Sequence, residues 1–136
     1  MDTANDKVII QRGFNSHFLE LFDDIIRIYP ENIELNSAKT ALENIKRMNP
    51  TAPVKAWYKY VYLPYNKVMD EGNLDFFFAK DYKSDISHLK NMDNILNIIE
   101  NLRDPLSNMG DTNKEHTSKY LKNLCKLSKM YNELSV

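Results

Sequence analysis

Residues 53–82 read PVKAWYKYVYLPYNKVMDEGNLDFFFAKDY. They hold the single tryptophan, five of the eight tyrosines and three of the six phenylalanines. This is also the one place where a strand competes with a helix, so its reading decides the fold class. Pro53 suits the first turn of a helix, where an N–H has no intrahelical partner to lose. Val54, Trp57, Val61, Tyr65 and Val68 then recur at helical spacing and share a face. Tyr60, Tyr62 and Leu63 point to other sides. Pro64 predicts a kink, because its ring crowds the preceding turn and it has no N–H to donate. Asp70-Glu71-Gly72-Asn73 predicts a turn, with Gly72 placed as a helix-ending glycine. The run Leu74–Ala79, LDFFFA, is too short for its period to separate strand from helix. A strand here would find no partner elsewhere in the chain, so a short helix is expected.

On the N-terminal side, Phe14 to Tyr29 predicts a helix. Phe14, Phe18, Leu21, Phe22, Ile25, Ile26 and Tyr29 form one broad apolar stripe, and Pro30 ends it. Residues 1–13 are expected to be a flexible tail, since polar flanks and Gly13 argue against a longer first helix. Glu31 to Met48 predicts a second helix with Leu35, Ala38, Ala41, Leu42, Ile45 and Met48 buried, closed by Asn49-Pro50. The short link at Pro30 makes these two helices an antiparallel hairpin.

On the C-terminal side, Ile95, Ile98, Ile99, Leu102 and Leu106 form another helical stripe. Thr112-Asn113-Lys114-Glu115 fits a capping box that would start the last helix. Tyr120, Leu124, Leu127, Tyr131 and Leu134 mark its apolar face. The sequence therefore predicts an all-α fold. The expected architecture is a single domain over 14–136, an antiparallel bundle of five or six helices with a proline-kinked aromatic third helix.

Length and composition narrow the function. A chain of 136 residues is one domain in length and can bury a core without disulfides or metals. Its formal net charge of −1 gives no overall pull toward nucleic acid or anionic lipid. Cys125 stands alone, so no internal disulfide can form. No apolar run reaches the length of a membrane span, and the first residues lack a signal-peptide pattern. A soluble intracellular protein with no cofactor and no membrane partner is expected.

Few constellations carry chemistry. His17, Glu20 and Asp24 share one helical face, but the order is the reverse of the Glu-x-x-His di-iron pattern and no second copy occurs, so no metal is expected. Cys125 borders the last apolar stripe and reads as a small buried thiol rather than a nucleophile. His88 and His116 stand in polar segments without an evident partner. Gly13, Gly72 and Gly110 are too far apart to cradle a phosphate. No catalytic residue is predicted, and the chain reads as a non-enzyme.

Two surfaces remain. Lys119, Lys122, Lys126 and Lys129 recur along one side of the last helix, either as a solubilising face or as contacts to phosphates or an acidic protein surface. Tyr60, Tyr62, Leu63, Phe76, Phe77 and Phe78 are either core or a partner interface, since one helical face cannot bury them all.

FNSHFLELFDDIIRIYPEN (14–32), AKTALENIKRMNP (38–50), WYKYVYLPYNKVMDEGNLDFFFAKDYKSDI (57–86), IENLRDPL (99–106) and YLKNLCKLSKMY (120–131) together resemble a group of small helical proteins of giant DNA viruses. The resemblance covers nearly all of the chain after residue 13. It implies a setting, the host cell cytoplasm or the virion, and no catalytic residues. The first expectation is a helical interaction or structural protein that self-associates through the aromatic surface. The second is a nucleic-acid-associated accessory protein using the lysine row.

Overall fold

The fold comes from a computed structural model, which describes residues 3–63, 67, 98–99, 101–102, 105–106 and 108–135. Helix α1 runs Thr3–Ile28, α2 runs Ile33–Met48, α3 runs Ala52–Trp57 and α4 runs Asp111–Leu134. Four α-helices are thus bounded within the described residues, where five or six were expected. The all-α antiparallel bundle itself stands.

Residues 3–13 are not a tail ahead of the helix. They are the first turns of α1, which passes through Gly13 without a break. Twenty-six residues make a rod of about 39 Å. A glycine in mid-helix costs about 1 kcal/mol against alanine. That cost is tolerated because α1 packs along α4 for much of its length. Tyr29 N–H still reaches Ile25 O at 2.9 Å, and the helix then stops at Pro30 as the sequence requires.

Helix α2 starts two residues later than expected. Asn32 holds extended backbone, and its Oδ1 accepts from Leu35 N at 3.0 Å, an N-cap that satisfies one free donor. Leu35, Ala38 and Leu42 are buried, with Ala41 and Ile45 packed beside them. Met48, expected in that stripe, is 85% exposed at the helix end. Lys39 Nζ lies 2.6 Å from Asp23 Oδ1 and ties α2 to α1.

Helix α3 carries Pro53 in its first turn and continues as a π turn over Tyr58–Tyr62. The Leu63 N–H bonds to Tyr58 O, one residue further back than in an α-helix. The irregularity of the third helix is therefore this π turn; Pro64 and the kink expected there lie outside the described residues. So do the short helix proposed for Leu74–Ala79 and residues 81–91. Ile98, Ile99, Leu102 and Leu106 are helical and buried, as their spacing indicates.

Helix α4 is not opened by the expected capping box. Its N-cap is Gly110, with Thr112 already inside the first turn and no side-chain cap. Gly110 O accepts from Lys114 N at 2.9 Å, and Asp111 meets the positive end of the helix dipole. The helix runs antiparallel to α1. Asp24 meets His116, His17 meets Tyr120, and Lys7 lies over the Tyr131 ring at 5.0 Å.

The core is aromatic at its centre. Trp57 is fully buried between Phe14 and Phe18, edge-on to both at 6.1 and 5.3 Å. Phe18 also meets Phe14 edge-on and stacks on Phe22, each at 5.7 Å. Such pairs add about 0.5–1.5 kcal/mol each beyond the area they bury. Trp57 Nε1–H points at Cys125 Sγ, 3.4 Å away, so the indole donor is satisfied inside the core. Asn15 is buried beside this cluster and donates Nδ2–H to Pro50 O at 2.9 Å, pinning α1 to the α2–α3 turn.

Candidate polar site and lysine face

Among the described residues the aromatic rings do not make an exposed self-association surface. Phe14, Phe18, Phe22 and Trp57 fill the interior, and Tyr62 joins them at 6% exposure. Tyr58 stacks on Tyr62 at 5.6 Å. Tyr60 is half-buried, with Lys59 Nζ 5.2 Å from its ring centre. Of the described residues of the proposed interface, Leu63 alone stands clearly in solvent, at 51%. Phe76, Phe77 and Phe78 lie outside the described residues. Self-association through an aromatic face is therefore withdrawn: the rings that α1 and α3 contribute are spent on one another.

The lysine face does form. Lys119, Lys122, Lys126 and Lys129 are all exposed on α4, on the side away from buried Leu121, Leu124 and Ser128. None of the four meets a carboxylate among the described residues. Lys119 to Lys129 is ten residues of helix, about 15 Å. Among the described residues no carboxylate relieves the repulsion between these ammonium groups.

A polar network that the sequence hid sits where α1 crosses the start of α4. Asp24 takes Arg27 Nη2 on Oδ1 at 2.9 Å and His116 Nε2 on Oδ2 at 3.2 Å. The Tyr120 phenol lies beside this carboxylate. Burial pushes the Tyr120 phenol above its ordinary pKa, and the Asp24 charge adds to the rise. The rings of His17 and His116 flank Tyr120 at 6.0 and 5.7 Å. His17 Nδ1 stands 3.6 Å from Glu20 Oε2, too long for a hydrogen bond.

This arrangement clamps two helices. Arg27 and His116 each take one oxygen of the Asp24 carboxylate, joining α1 to α4. His116, read as having no partner, finds one 92 residues away in sequence. No local pattern could have signalled that pair. The His17, Glu20, Asp24 face does not converge on an ion, because Asp24 turns toward Arg27 and His116. Among the described residues no group of three or more His, Cys, Asp and Glu could hold a metal. Cys125 is a buried thiol, as its place beside the apolar stripe suggests.

Among the described residues no helix is long and apolar enough to cross a membrane. The fold and site together define an all-α antiparallel bundle with a buried aromatic centre, a polar clamp and one lysine-lined helix face. Comparison with protein-family models, curated proteins and solved structures finds no match to this chain.

Proposed function

We propose that this protein is a non-enzymatic helical binding module whose working face is the lysine row of α4 and whose partner is the phosphate backbone of nucleic acid. One observation carries the reading: four exposed ammonium groups line one face, and among the described residues no carboxylate pairs with them. About 15 Å of helix matches the axial rise of about four phosphates along one strand of a duplex. The row contains no arginine, so no bidentate reading of a base edge is built in. Lysines at this spacing position a backbone without selecting a sequence. The net charge of −1 gives the chain as a whole no attraction to phosphate. The setting implied by the giant-virus resemblance, an infected host cytoplasm or the virion, is part of the same proposal.

Fluorescence anisotropy with labelled duplex DNA tests it. Four neutralised phosphates give a slope of about −3.6 in log affinity against log salt. Affinity should then fall about 150-fold between 50 and 200 mM salt. Replacing Lys119, Lys122, Lys126 and Lys129 with glutamine should remove both the binding and its salt dependence. Undiminished binding by that variant rejects this face, and no binding by the wild-type chain at 50 mM salt rejects the function.

A further inference from the structure

The lysine face leaves one surface unexplained, at the opposite end of the bundle from the Asp24 clamp. There the start of α1 and the end of α4 enclose a groove of about 400 Å³, lined by Asp6, Ile9, Ile10, Met130, Glu133 and Leu134. Its floor is aliphatic and open to solvent. Ile9 is 60% exposed and Met130 42% exposed. Two carboxylates stand on its rim, and neither Asp6 nor Glu133 meets a cation among the described residues. Lys7, the neighbour of Asp6, lies over the Tyr131 ring instead.

We propose that this groove binds a basic amphipathic helical peptide, with an aliphatic side chain seated on Ile9 and Met130 and flanking lysines or arginines paired to Asp6 and Glu133. Apolar contact supplies the association, because burying aliphatic surface is favourable in proportion to area. The unpaired carboxylates supply the sign of the partner, since an acidic segment would meet like charge. Methionine suits the role, because its unbranched thioether adapts to different side chains. An amphipathic helix laid into an aliphatic groove is a recurrent mode of peptide recognition.

The probe is a fluorescein-labelled synthetic helix with leucines at i, i+3 and i+7 and lysines between them. Its control carries glutamates in place of the lysines. The basic peptide should bind saturably at one site on the full chain, and the acidic peptide at least tenfold more weakly. Met130→Lys should weaken the basic peptide at least tenfold. Asp6→Lys combined with Glu133→Lys should invert the preference toward the acidic peptide. These side chains are exposed or at the rim, so circular dichroism and melting should stay near wild type. Equal affinity for the two peptides overturns the proposal, as does a basic peptide that Met130→Lys leaves unaffected. Concentration-dependent dimerisation lost in Met130→Lys would assign the groove to a second copy and also overturn it. None of these readouts involves the lysine row, so failure here and failure of nucleic-acid binding are separate results.

Discussion

Phe18 is the residue on which the buried aromatic centre can be tested most directly. It is fully buried and touches three other rings, Phe14, Phe22 and Trp57. Phe18→Ala removes a whole ring from a packed site among Phe14, Phe22 and Trp57, which cannot all close in. Phenylalanine-to-alanine changes at such sites cost about 3–5 kcal/mol, the transfer loss plus the cavity left behind. The lost ring pairs place this case near about 4 kcal/mol. Urea unfolding is the assay, followed by the fluorescence of Trp57, which is both the sole tryptophan and a direct neighbour. With a slope of about 2 kcal/mol per molar, the midpoint should fall by about 2 M. Phe18→Leu keeps the apolar volume and should lose only about 1 kcal/mol. Met48→Ala serves as the surface comparison and should stay within about 0.5 kcal/mol, because that side chain is 85% exposed. A Phe18→Ala midpoint within about 0.5 M of wild type would refute the packing described here, since no buried ring can leave so cheaply.

Two further predictions concern α1 and the clamp. Gly13→Ala should raise stability by about 0.5–1 kcal/mol in the same urea assay, because a methyl group there meets nothing within 4 Å and the backbone is already helical. The raised pKa of Tyr120 means that folding favours the neutral phenol. Its contribution is fully present below the unfolded value of about 10 and is lost as pH rises through the folded value. Melting temperature should therefore fall above about pH 10, and Tyr120→Phe should flatten part of that fall.

Legibility followed the range of the interactions. The stripe Phe14, Phe18, Leu21, Phe22 and Ile25 could be read directly, because helical period and burial coincide in a helix with one buried side. Pro30 and Pro53 marked boundaries for the same local reason. Gly13 misled, because a propensity cost of about 1 kcal/mol is small beside the packing of a long helix against α4. The capping pattern at Thr112 misled because Gly110 supplies the extended N-cap backbone two residues earlier, which places Thr112 inside the helix rather than at its cap.

The sequence by itself determined that the chain is helical, that α1 and α2 form a hairpin, that Cys125 is a buried thiol, and that four lysines share one face of α4. Each of these depends on spacing along a single element or its immediate flank. Only the tertiary structure decided where the aromatic rings went and that His116, Arg27 and Tyr120 converge on Asp24. Counting rings on one helix suggested a surplus for a partner. Among the described rings, Trp57 was met by Phe14 and Phe18 of α1 and Tyr62 went into the core, and such complementarity exists only once separate helices are brought face to face.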